Sequence, residues 1–146
     1  MMTEVPRLTA AQKRLVRESF LSVQEYSTAL IKLFYGRLFE IAPAVRPLFK
    51  PSLDEQSSRL LQMLALVVGS IEGFDEMRAP LLELGRKHVT YGAKPEHYDA
   101  VRIALLWALG QALGPEFDRE TKSAWEQMLR AITATMLEGA SSSPQA

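Results

Sequence analysis

The chain has 146 residues, enough for one domain around a single core, and 47% of them are hydrophobic. Seventeen basic residues balance seventeen acidic ones, so net charge gives no general pull toward nucleic acid or an anionic lipid surface. The absence of cysteine excludes disulfides, thiolate metal sites and any cofactor attached through a thioether.

The opening residues, Met1 to Pro6, lack the apolar run and small-residue cleavage site of a signal peptide. No later stretch approaches the ~18 apolar residues of a membrane span, so a cytoplasmic protein without a membrane partner is expected. Residues 1–8 read as an N-terminal extension. Thr9 with Gln12 forms a capping-box pattern, followed at helical spacing by Leu15, Val16, Phe20 and Val23. A second helix carries Leu30, Ile31, Phe34, Leu38 and Phe39 and should end near Pro43. Pro43, Pro47 and Pro51 break any continuous helix between Ala42 and Ser52, which reads as a corner.

Ser52 with Glu55 is a second capping-box pattern. It predicts a long helix through Leu60, Met63, Leu64, Val67, Val68 and Ile71, ended by Gly73. Asp75 is placed to cap the next helix, which carries Leu81, Leu82, Leu84 and His88 and breaks near Gly92. Pro95 suits the first turn of another, through Tyr98, Val101, Leu105, Leu106 and Leu109 to Gly114. Asp118 can cap the last, which holds Trp125, Met128, Leu129, Ile132 and Met136. Strand and hairpin signals are nearly absent. The prediction is a single all-α domain over 9–139, with 140–146 a disordered polar tail. The last two helices show no oligomeric seam distinct from the core pattern.

His88 and His97 are the only histidines. That excludes His-rich zinc sites, and neither a phosphate-binding glycine loop nor a His-Glu-x-x-His motif is present. Leu81, Leu84 and His88 fall at i, i+3 and i+7, so His88 shares the apolar face of its helix. From periodicity alone the plainer reading is a core histidine satisfied by a backbone carbonyl. Helix arithmetic adds a second one. Gln56 lies seventeen residues before Gly73 and His88 fifteen after it. Antiparallel helices turning at Gly73 would set the amide and the imidazole opposite each other across a slot. A flat cofactor would fit there. His97, just after Pro95 and Glu96, reads as a surface residue.

Two runs carry a family resemblance. One is Phe34-Tyr35-Gly36-Arg37-Leu38-Phe39-Glu40-Ile41-Ala42-Pro43 with Val45-Arg46-Pro47-Leu48-Phe49. The other is Leu84-Gly85-Arg86-Lys87-His88-Val89-Thr90-Tyr91-Gly92, continuing through Pro95-Glu96-His97-Tyr98. With Gln56 and Leu60, these resemble bacterial single-domain globins of the flavohaemoglobin-like kind, the Vitreoscilla-type haemoglobins. The likeness spans about Thr9 to Leu137.

It implies a globin fold whose helices sandwich a non-covalent haem b, with His88 as the iron ligand. The carbonyl of Leu84 would fix the His88 ring. Phe49, Leu60, Leu64, Leu84, Tyr98 and Val101 would contact the haem, and Arg59 and Lys87 would meet its propionates. On the opposite face Tyr35 and Gln56, beside Leu60, would donate hydrogen bonds to a diatomic ligand: O2, NO or CO. Plainer roles remain for each: a core tyrosine, a solvent-facing first-turn glutamine, surface charges.

The likeness also implies a departure. The glutamate that joins the tyrosine beside the proximal histidine in flavohaemoglobins falls at Ala140, while Glu138 stands two residues earlier. Three roles follow from the family: reversible ligand binding, NO dioxygenation with an external reductase, or a haem-free sensor module. Re-reduction would need that reductase because a chain this short has no flavin or nicotinamide domain.

Overall fold

The computed structural model describes residues 7–48, 53–90 and 92–141, with only the backbone described at 53–58 and 74. These residues form α-helices joined by short 3-10 turns, with no strand among them. The helices are α1 (Ala10–Gln24), α2 (Ser27–Ile41), α3 (Leu53–Gly69), α4 (Arg78–Thr90), α5 (Pro95–Leu113) and α6 (Arg119–Ser141). Principal packing is α4 on α6, α2 on α5 and α1 on α6.

Local chemistry accounts for several helix ends. The Thr9 hydroxyl accepts the Gln12 N–H at 3.1 Å, while the Gln12 side chain accepts the Thr9 N–H at 2.9 Å. This satisfies two donors that the first turn leaves open. Pro47 does not break the corner outright, because Pro43–Leu48 adopts a 3-10 helix. Pro95 opens α5, and Asp118 caps α6 by accepting the Thr121 N–H at 2.9 Å. Gly92 after α4 and Gly114 after α5 have φ of 88° and 60°, a left-handed backbone that a side chain would strain.

The structure corrects several expected boundaries. α3 stops at Gly69, and Ile71–Met77 forms a 3-10 segment containing Gly73 at φ −113°, ψ 49°. Asp75 lies inside that segment and caps nothing; its carbonyl accepts the Arg78 N–H. The segment is held to α1 by Glu72, whose carboxylate meets Arg17 and, at 3.8 Å, Lys13. α6 runs on to Ser141, past the expected edge at 139. The capping box predicted at Ser52 lies outside the described residues.

The core takes one face from each helix: Val16 and Val23, Leu30 and Leu38, Leu64 and Val67, Leu81, Leu105 and Leu109, Trp125 and Met128. Each fully buried side chain of this size contributes roughly 1.5–3 kcal/mol. Trp125 is completely buried, and its indole N–H donates to the Ser19 hydroxyl at 2.7 Å. That hydroxyl donates in turn to the Leu15 carbonyl at 2.6 Å, which ties α1 to the second turn of α6.

Candidate functional site

α4 carries the one histidine at the edge of the core. Its Leu81 is buried, and Leu84 and His88 on the same face are half-buried. The His88 Nδ1–H donates to the carbonyl of Leu84, one turn back, at 2.8 Å. A carbonyl can only accept, so this bond puts the proton on Nδ1 and the ring's lone pair on Nε2. Burial holds the His88 pKa below its ordinary value, and the Leu84 bond only partly offsets this. The ring is therefore the neutral imidazole that a metal takes as ligand. Tyr98, on the first turn of α5, is its aromatic neighbour, with ring centroids 6.2 Å apart. Burial raises the phenol pKa of Tyr98.

The helix bearing His88 is backed closely by α6. A Cβ built at Gly85 would stand 2.7 Å from the carbonyl carbon of Met136 and 2.9 Å from its Cα, with the carbonyl oxygen closer still. One built at Gly139 would stand 2.7 Å from the carbonyl carbon of Leu82. Glycine at both positions lets the two backbones touch. At the start of α4, Arg78 grips Glu138 of α6 with both terminal nitrogens, one contact measuring 3.1 Å. This pairing lowers the Glu138 carboxyl pKa. Glu138 is thus bound at the far end of α4, ten residues from His88 and about 15 Å along the helix.

Tyr35 is buried in α2 at 6% exposure, edge-on to Phe34 at 4.9 Å and stacked with Phe39 at 5.8 Å. Arg46 of the corner lies over the outer face of this group, 4.8 Å from the Phe39 ring centre. Leu64 is fully buried, whereas Leu60, Met63, Leu84, Tyr98 and Val101 are only partly covered where they pack on the core. Arg59 and Lys87 are exposed. Gln56 lies on the first turn of α3, and its side chain is outside the described residues, as is Phe49.

The helix arithmetic needs revision. Because α3 ends at Gly69 and α4 begins at Arg78, Gln56 is about 20 Å from its end of the connection and His88 about 15 Å from the other. The connection is a 3-10 segment against which both helices pack, and among the described residues α3 and α4 share no extended contact with each other.

These residues fit a haem better than a bare metal. Among the described residues no three His, Asp or Glu side chains gather to hold an ion. One imidazole is a weak site by itself, so an iron here would need a porphyrin to supply further nitrogen ligands. The half-covered apolar side chains of α2, α3, α4 and α5 are the surface such a flat group would complete. Haem fits that chemistry, and His88 is the residue that would hold it.

Sequence reasoning missed three features. His97 is no bare surface residue: its Nδ1 accepts the Lys94 N–H at 3.0 Å and caps α5. Arg37 stacks over Trp107 at 5.0 Å, a contact between α2 and α5 that no spacing rule signals. The α4–α6 backbone contact did have a signal, because a glycine inside a helix costs about 1 kcal/mol and needs a packing reason.

Known proteins agree with this architecture. The globin family model matches residues 32–136. An uncharacterised globin-like protein of Aquifex aeolicus is 27% identical over 124 residues, covering 85% of this chain and 88% of its own. Neuroglobin of Tetraodon nigroviridis is 26% identical, covering 91% and 92%. Among solved structures, a bacterial globin from Campylobacter jejuni superposes with a TM-score of 0.79 at 27% identity, covering 91% of this chain and 96% of that one. An engineered carbene transferase from Rhodothermus marinus, provisionally named a nitric oxide dioxygenase, gives 0.82 at 25% identity, covering 92% and 94%. A family match over residues 32–136, on a frame that is helical throughout its described residues and carries a half-buried, neutral imidazole, places this protein in the globin family.

Proposed function

We propose that this chain is a haem b globin of the bacterial single-domain, flavohaemoglobin-like kind that binds O2 reversibly, and NO and CO besides. The observation that carries the reading is the His88–Leu84 hydrogen bond of 2.8 Å, which orients a neutral imidazole with Nε2 as its coordinating nitrogen. Haem, when bound, supplies an iron with one position left for a diatomic ligand. The protein's residues do the rest.

His88 holds the group from one side, with Leu60, Leu64, Leu84, Val101, Tyr98 and Phe49 as its apolar surround. Arg59 and Lys87, both exposed, are suited to its propionates. Tyr35 and Gln56 are the donors offered to the ligand. A hydrogen bond to a charged acceptor contributes about 1.5–3 kcal/mol, roughly tenfold to a hundredfold in affinity. O2 gains more negative charge on binding than CO does, so the donors favour O2. No described helix is long and apolar enough to cross a membrane. The proximal side favours binding over O–O cleavage, since Glu138 is committed to Arg78 and not to His88 or Tyr98.

The name of the Rhodothermus neighbour favours a second reading, NO dioxygenation. Converting NO and O2 to nitrate consumes one electron per turnover, so a reductase is required. Sustained NO loss with such a reductase would support the enzyme, and a single turnover the carrier. The test of the shared site is His88→Ala. The variant should lose stable haem binding, and retention of a normal five-coordinate ferrous spectrum would overturn the assignment.

A further inference from the structure

We propose that Gly85 is a positioning residue for the iron ligand: by letting α4 rest on the backbone of α6, it fixes the peptide that aims the His88 ring. The inference rests on the reading of His88 as that ligand.

The Leu84–Gly85 peptide is engaged on both sides. Its carbonyl, belonging to Leu84, accepts the Nδ1–H of His88 at 2.8 Å. Its other end, the Gly85 Cα, lies against Met136, where a Cβ would come within 2.7 Å of the carbonyl carbon. The obstacle is the α6 main chain at buried Met136, one turn past buried Ile132, and cannot swing aside as a side-chain tip would. Gly139 on Leu82 repeats the contact one turn nearer the N-terminus of α4, and the Arg78–Glu138 pair closes it at the start.

The three contacts restrain sliding, rolling and lifting of α4. Only the one at Gly85 shares a peptide with the His88 hydrogen bond. A methyl group there forces the helices apart by about 1 Å if ordinary contact distances are to be recovered. That movement displaces the Leu84 carbonyl from which the imidazole takes its direction.

The test uses the full chain loaded with haem, in its ferrous, ligand-free form. Resonance Raman spectroscopy reads the iron–imidazole stretch, and transfer to an apoglobin acceptor reads haem loss. Gly85→Ala should shift or split the stretch and speed haem loss about tenfold or more, the usual scale for disturbing a ligand's supporting partner. Gly139→Ala, with a comparable backbone obstacle, lowers thermal stability while moving the stretch less. In a His88→Gly background with imidazole supplied from solution, Gly85→Ala should leave the stretch alone, because that ring is not held by the peptide. An unmoved stretch in Gly85→Ala, or equal shifts with His88 and with free imidazole, would overturn the proposal.

Should Gly85→Ala fail to fold, proton NMR of the unsubstituted holoprotein decides. The His88 Nδ1–H should exchange slowly with solvent, and rapid exchange would overturn the proposal. If the stretch is absent from the unsubstituted protein, or survives His88→Ala, the ligand reading itself falls. If it is present and lost in His88→Ala yet unmoved in Gly85→Ala, only the role of Gly85 falls.

Discussion

Replacing Ser19 by alanine should weaken the frame on which α4, the helix of His88, rests, by an amount the structure lets one work out. The Ser19 hydroxyl accepts the indole N–H of Trp125 at 2.7 Å, 106 positions away in the chain, and Trp125 is completely buried. Alanine leaves that donor without its acceptor in a site closed to water, at a cost of about 1–3 kcal/mol. Alanine is also the better helix former by about 0.5 kcal/mol, and the bond from Ser19 back to Leu15 is no loss to the helix.

The net destabilisation is therefore about 1–2 kcal/mol, or roughly 3–8 °C in melting temperature for a chain of this size. Thermal unfolding followed by circular dichroism measures it. Trp125→Phe supplies the second arm of a double-mutant cycle, since phenylalanine has no donor to satisfy. In that background Ser19→Ala should cost little or even stabilise. An equal loss in both backgrounds would show that the hydrogen bond is not the cause and would refute the reasoning.

Tyr35→Phe removes a donor from a residue with 6% exposure while keeping its ring. It should speed O2 release about tenfold by stopped flow; an unchanged rate would pass the donor role to Gln56, with the double substitution as arbiter. Gly36 lies inside α2 with nothing within 4 Å of a built Cβ, so Gly36→Ala should stabilise by about 0.5–1 kcal/mol. A loss of stability there would contradict the open space. The hydrogen bond from Arg78 is the main cause of Glu138's lowered carboxyl pKa. A carboxyl with a depressed folded pKa adds stability above its ordinary value of 4.5 and loses it as pH falls through the lowered one. The gap in melting temperature between the native chain and Glu138→Gln should thus be present near neutrality and close in acid, whereas a gap independent of pH would exclude the pair as its source.

Much of this architecture is legible in the sequence because the signals are local. Thr9 with Gln12, Pro95 and Asp118 act within a single turn, and each starts a helix where spacing predicts. The family runs around Tyr35 and His88 are likewise contiguous, and the Leu81, Leu84, His88 spacing matches the buried or half-buried face of α4. What escapes the sequence depends on distant partners. Gly69 ends α3 and a 3-10 segment takes over, in which Glu72 meets Arg17 and Lys13 on α1, a contact across more than fifty residues. Glu138 invites comparison with the glutamate of the proximal network, yet its partner is Arg78, sixty residues back. Gly85 and Gly139 are each readable as helix glycines wanting an explanation, but only the packed structure shows that they face one another's helices.

The central claim is that His88 holds a haem on which O2 binds reversibly. Optical titration of the purified protein with haem, recorded in ferric, ferrous and O2-exposed forms, tests it most directly. The account predicts saturation at one haem per chain, a five-coordinate ferrous spectrum, and a stable oxy spectrum that reverts when O2 is withdrawn. Failure to take up haem specifically would contradict it, leaving a globin frame that serves as a protein-binding module.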